Sequence, residues 1–402
     1  MQFVKKTKLP VTFIAGIFAI KVAAGVIVGL FTDMHSDTWS YYKEGANEYH
    51  LLLTNPKEYF ANIFYSGYTK PYAGVLASGD SYWNDLKSNL MHKVVSVLDI
   101  FSFNHYYVNV VLYNFIVFLG AAGLYRVFTG IYGEKNRLAV IPCFLLPSLL
   151  FFGSSVHKEG LIYAATGTIV YCIYSLLKQE GRYSLIKLFL IILSLAFIFF
   201  MRIYVFFILI PILFAWIISI KKKYAPLAVF SMTLSVCVII FFISAYVPSF
   251  NLPRAVLEKQ VAFLQLEKTH SFIGVPNMEA GFVSFAVNAP LAFAHTLLRP
   301  FFSDYTLSPM LIFFAAEWYT YIFVGIVLFV TRKKENRISN DAAAFYCLCI
   351  FFFFLVMLVI GYTVPVLWAI VRYKSIYLPF ILTPLLLNAD FETIKKVFRI
   401  KK

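Results

Sequence analysis

Long apolar runs broken by short polar interruptions set the pattern of this chain. A helix needs about 20 apolar residues to cross a bilayer. Runs approaching or exceeding that length lie near 11–31, 106–128, 138–153, 161–177, 225–246, 310–330, 342–361 and 366–387. Residues 188–220 form a further run interrupted only by Arg202 and closed by Lys221, Lys222 and Lys223. It is too long for one helix of ordinary tilt, so the spacing predicts two short helices, out and back, with Arg202 at the hairpin. A single bent helix is the alternative, and it would leave the two basic flanks on opposite sides. The apolar stretch 282–298 is expected to be re-entrant or interfacial, because 310–330 ends in Arg332, Lys333, Lys334 and Arg337 and so should begin outside. The expected architecture is an all-α, polytopic integral membrane helix bundle of about ten spans. It forms one domain over 1–402, with a long helical outer loop at 32–104 and a second outer region at 248–309.

Composition narrows the class. At 60% hydrophobic and 14% charged residues, with mean hydropathy +0.76, the chain holds too much apolar sequence for a soluble domain. The net charge of +15 could suggest a nucleic-acid partner, but the basic residues sit in short loops and tails beside apolar runs. That is the positive-inside pattern, and no nucleic acid is expected. Lys5, Lys6 and Lys8 before the first run, and Lys395, Lys396, Arg399, Lys401 and Lys402 after the last, place both termini in the cytoplasm. No small-residue cleavage site follows 11–31, which reads as a retained first helix. Cys143, Cys172, Cys237, Cys347 and Cys349 all lie in apolar runs and read as small hydrophobes.

The costly residues are ionisable groups at the edges of apolar runs, and this topology puts them on one side of the membrane. Asp33 and Asp37 open the first outer loop, where a carboxylate can act as general base on an acceptor hydroxyl or simply sit hydrated at a loop end. Lys158 and Glu159 separate two spans; they either pair with each other or meet a phosphate or sugar hydroxyl. Arg202, Arg299 and Arg372 carry the planar fork that matches phosphate oxygens, the alternative being snorkelling to headgroups. Glu317, beside Trp318 and Tyr319, is expected to partner one of these arginines, in a structural or a catalytic role. Trp39, Tyr41, Tyr42, Trp83 and Trp318 either stack on sugar rings or anchor the membrane interface. Asp33 and Asp37 are four residues apart with His35 between them, unlike the two-apart acidic pair that often holds a cation. No metal ligands are assigned and no cofactor is firmly expected, while use of a divalent cation stays open. No Walker A, dinucleotide fingerprint or nucleophile elbow is present.

Four places carry a resemblance. They are the helix-1 exit with Asp37, Tyr41 and Tyr42; the Pro147–Gly160 stretch ending His157-Lys158-Glu159-Gly160; Arg202-Ile203-Tyr204; and Arg372-Tyr373-Lys374 followed by Leu378-Pro379-Phe380. Together they resemble the multi-span GT-C glycosyltransferases and related bacterial envelope proteins of surface-polysaccharide synthesis. The resemblance covers most of the chain in layout and few residues in identity. It implies sugar transfer from a polyprenyl-phosphate donor to a glycan or lipid acceptor on the outer face of the cytoplasmic (inner) membrane. Asp37 then matches the first-loop catalytic aspartate, and Arg202 or Arg372 the carrier-phosphate contacts. The chain departs from the family in lacking an Asp-x-Asp pair and a large soluble C-terminal domain. An O-antigen-type polysaccharide polymerase and a lipid-linked glycan flippase remain as alternatives.

Overall fold

The structure, a computed structural model, describes residues 7–394 except 35, 67–75, 77–81, 134–136, 180–182, 248–249, 266–270, 305–308, 333–338 and 392. The basic N-terminal lysines 5 and 6, most of the 332–337 cluster, the C-terminal basic tail and His35 therefore lie outside the described residues. Among the described residues, eight helices are long and apolar enough to cross a membrane. They are α1 (Val11–Phe31), α5 (Tyr106–Tyr132), α7 (Lys158–Leu177), α8 (Ser184–Met201), α9 (Ile203–Lys222), α10 (Pro226–Ile243, extended by a 3-10 turn to Tyr246), α13 (Pro309–Val330) and α14 (Asn340–Thr363). Two bent pairs raise the count to ten. One joins residues Arg137–Leu145 to α6 (Pro147–Ser154), and the other joins α15 (Leu367–Ser375) to α16 (Leu378–Leu387), each with a 50° bend. The chain is thus an all-α polytopic bundle, and among the described residues only two isolated β-bridges occur.

Local chemistry explains the breaks. Proline removes a donor and clashes with the preceding turn, and Pro142 and Pro147 divide 138–153 into a π-helical turn and α6. In 188–220 the divider is Arg202, whose non-helical backbone (φ −149°, ψ 76°) ends α8 and starts α9. The two short helices expected from the length of this run are therefore present, joined by a single residue.

Helix contacts sort the chain ends into two groups. At one end lie the start of α2 (Asp37–Thr54), the start of α5, the 154–158 turn, Arg202 and the 363–367 segment. Trp39 stacks on Tyr106 at 4.3 Å between ring centres, and Ile273 N–H donates to the Pro365 carbonyl at 2.8 Å. At the other end Lys178 pairs with Asp341 at 2.6 Å and Asn340 donates to the Ser219 carbonyl at 3.0 Å. α7 runs through the middle and is the most buried span. Its glycine and alanine residues let it approach α5 closely: a Cβ on Gly120 would overlap the Ala164 backbone, and one on Gly167 the Gly120 carbonyl.

The described part of 32–104 is helical. α2 packs on α4 (Tyr82–Ser102), with α3 (Pro56–Ala61) beside them. The buried Lys93 ammonium ties them together, meeting Glu48, the Tyr59 carbonyl at 2.5 Å and Asn62 at 2.6 Å. α11 (Leu252–Leu264) lies at the same end. α12 (Phe282–Leu297) has 16 residues and packs on α14, where Gly361 admits the Ala292 backbone. Its C-terminal carbonyls at Leu297 and Leu298 accept from Trp318 (2.8 Å) and Tyr319 (3.0 Å), near the middle of α13.

Candidate functional site: a charged cluster beside an apolar cavity

Four segments deliver the charged side chains. Asp37 is the first residue of α2. His157 is the N-cap residue of α7, and Lys158 and Glu159 begin that helix, where the positive end of the macrodipole favours a carboxylate. The turn before them is held by Asn114, which donates to the Ser154 carbonyl at 2.7 Å, and by Tyr113, whose hydroxyl donates to the His157 carbonyl. Arg202 sits at the α8–α9 break, and Arg372 on the short helix α15.

Glu159 is the hub. Its carboxylate is fully buried. It accepts from Arg202 at 2.5 Å, lies 3.6 Å from Arg372 Nε, and meets His157 Nδ1. Arg372 Nη1 donates to Asp37 at 2.8 Å and lies 3.4 Å from His157 Nε2. Arg202 also stacks 3.5 Å above the Tyr373 ring. Two carboxylates thus neutralise two guanidiniums in one connected network. The imidazole links them, with Asp37 Oδ2 at 3.3 Å and Arg372 Nη1 at 3.4 Å both facing Nε2, and Glu159 facing Nδ1. Burial pushes the His157 pKa down to about 3, against the hydrogen bond to Asp37 that pulls it up, with the Arg372 charge adding to the fall, so the ring is neutral near pH 7. His157 and then Arg372 hold the half-exposed Asp37 carboxyl far below the usual carboxylate range, so it stays ionised.

Next to this cluster lies a cavity of about 780 Å³, within the size range of small-molecule sites. Arg202, Lys158, Tyr41 and Tyr373 line one part, with Lys87 of α4 and Lys259 of α11. The rest runs between α9, α10 and α14 and is apolar, walled by residues such as Phe207, Pro211, Leu234, Phe241 and Leu355. Among the described residues no carboxylate lines it.

Of the residues singled out from sequence, Asp37, Lys158, Glu159, Arg202, Arg372 and Tyr41 are gathered here. Trp39 and Tyr42 pack nearby, on Tyr106 and, through the Tyr42 hydroxyl, on the Asn104 carbonyl at 2.9 Å. Asp33 lies in the α1–α2 turn, its carbonyl accepting from Ser36 N–H at 2.9 Å. Arg299 is not part of the cluster: it pairs with Asp304 at 2.7 Å and does not line the cavity. Glu317 does not partner an arginine as expected. Three donors satisfy its carboxylate instead, the Ser148 backbone N–H and hydroxyl, both at 3.0 Å, and the Tyr321 hydroxyl at 2.5 Å. The outward-bending start of α6 leaves the Ser148 N–H without an intrahelical partner, and Glu317 fills that need.

Sequence reasoning gave no role to His157, Tyr373, Lys87 or Lys259. It also passed over Lys21, buried inside α1 and donating to Ser154 at 3.1 Å, and gave Lys374 no role beyond its place in the Arg372-Tyr373-Lys374 stretch. The Lys374 ammonium is buried over Trp318 at 3.8 Å and donates to the carbonyls of Thr296 (3.2 Å) and Arg299 (3.0 Å). A lysine in mid-span was a readable signal for Lys21; nothing in sequence links Lys87 on α4 to Lys259 on α11. Among the described residues no group of three histidine, cysteine or carboxylate side chains is placed to hold a metal ion. No protein family, curated protein or solved structure matches the chain.

Proposed function

We propose that this multi-pass membrane protein transfers a sugar from a polyprenyl-phosphate carrier to a hydroxyl acceptor, in the synthesis of a cell-surface glycan at the outer face of the cytoplasmic membrane. One observation carries the reading: a single cavity joins a cationic end, with Lys158 and Arg202, to an apolar slot between helices α9, α10 and α14. An anionic headgroup on an isoprenoid tail has that same division of chemistry.

In the proposed reaction the acceptor oxygen attacks the anomeric carbon and the bond from that carbon to the phosphate oxygen breaks. The electron pair leaves with the carrier phosphate, and the acceptor proton passes to Asp37. Arg202 and Lys158 stabilise the charge growing on the leaving phosphate. Paired with Arg372, Asp37 is a weak base. When the donor phosphate draws Arg372 towards it, the carboxylate loses that partner and gains basicity.

The test compares a deletion strain with strains expressing wild-type protein or Asp37→Asn at matched levels. A missing glycan, a build-up of carrier-linked sugar, and rescue by wild type but not by Asp37→Asn are expected. Normal glycan in the deletion strain removes the reading; full rescue by Asp37→Asn removes Asp37 from the role of base.

A further inference from the structure

The cationic part of the cavity and the cluster beside it hold more positive charge than the neighbouring carboxylates balance. Arg202 is matched by Glu159 and Arg372 by Asp37. Lys87, Lys158 and Lys259 remain, and none has a carboxylate partner among the described residues. Lys87 makes one long contact with Asn84, at 3.4 Å, and Lys259 lies over the Phe263 ring at 5.4 Å, at the exposed rim.

These lysines are spread along the site. Lys158 is within electrostatic reach of Arg202, Arg372 and Asp37. Lys87 feels Lys259 and Arg202, and Lys259 feels Tyr373 and Arg202. Lys158 opens α7, Arg202 divides α8 from α9, and Lys87 and Lys259 reach the same cavity from α4 and α11. Like charges held together in a partly dry pocket oppose folding. The Lys87 pKa accordingly falls to about 8, through burial first and then through Lys259 and Arg202.

From this charge surplus and its spread we infer that the cavity takes a lipid diphosphate, not a lipid monophosphate. This rests on the carrier reading above and specifies its headgroup. A sugar joined to a lipid through one phosphate carries a single negative charge at neutral pH. Joined through a diphosphate it carries two, spread over two phosphorus centres. Lys158 and Arg202 meet the phosphate nearer the sugar, and Lys87 and Lys259 the one nearer the tail. On transfer the bond from the anomeric carbon to the first phosphate oxygen breaks, and the lipid diphosphate leaves with the electron pair.

The experiment measures binding to the purified full-length protein of farnesyl diphosphate, farnesyl phosphate and inorganic pyrophosphate. Farnesyl diphosphate should bind at least about tenfold more tightly than either of the others. Lys87→Met with Lys259→Met should bring it down to the level of farnesyl phosphate, with farnesyl phosphate binding itself within about twofold of wild type. Equal wild-type affinities for the two farnesyl esters overturn the diphosphate assignment and leave the carrier reading standing. Pyrophosphate binding as tightly as farnesyl diphosphate overturns it too, since the tail is then not read. If neither ester binds, the carrier reading itself fails. The wild-type comparison decides the matter even where the double variant does not fold.

Discussion

Arg372 and Asp37 stand 335 positions apart in the chain, and their side chains meet at 2.8 Å. The contact joins α2, the first helix after α1, to a short helix of the last bent span. It closes a network in which Glu159, His157 and Arg202 also take part. Each segment supplies a group that would be costly alone in an apolar bundle, and each finds its counter-charge only on another segment.

The buried hub should be sensitive to loss of charge. Glu159→Gln leaves Arg202 without its carboxylate, and breaking a buried pair by removing one partner costs about 3–5 kcal/mol. A marked fall in the thermal unfolding midpoint of the detergent-solubilised protein is expected. An unchanged midpoint would mean that the pair contributes nothing net.

Stability should decline on mild acidification because of His157. Its folded pKa, about 3, lies below the ordinary value near 6.5. Between those values the unfolded chain binds a proton that the folded chain excludes, so stability falls as pH drops from about 6.5 towards 3. Asp37 acts lower down: its folded pKa is depressed, so its contribution holds above the unfolded carboxylate range near 4 and is lost beneath it. His157→Asn should flatten the midpoint-against-pH curve between pH 6.5 and 4. An identical slope in the variant contradicts a neutral buried imidazole.

Close helix packing gives a prediction independent of function. Gly120→Val places side-chain atoms where the Ala164 backbone lies, and overpacking of this kind typically costs about 1–3 kcal/mol or more. Gly16→Val, at a position where a Cβ meets nothing within 4 Å, should leave the unfolding midpoint and yield almost unaltered. Equal effects of the two would falsify the α5–α7 contact.

Carrier occupancy should be visible at a native cysteine. Cys237 lines the apolar part of the cavity, and Cys347, likewise partly exposed, does not. Geranylgeranyl diphosphate should slow alkylation of Cys237 by N-ethylmaleimide several-fold and leave Cys347 unaffected. Equal protection at both sites points to detergent effects instead of a filled slot.

The amino-acid sequence by itself determined the class of the protein. Runs of membrane-spanning length specify helices whatever their neighbours are, because lipid leaves the backbone no other way to satisfy its hydrogen bonds. For the same local reason Arg202 was legible as a break in 188–220, and Asp37, Lys158, Glu159 and Arg372 stood out as charges beside apolar runs. Tertiary structure alone decided which charges meet. Glu159 was as free, from sequence, to pair with Lys158 next door as with Arg202; the start of α7 turns it to the two arginines. Glu317 found Ser148 and Tyr321, and Arg299 found Asp304. Lys87 and Lys259 came to one cavity through the packing of α4 and α11 over the bundle end. Helix formation depends on residues within a turn or two, whereas a counter-charge is chosen by which faces pack together, and that choice has no local signature in the chain.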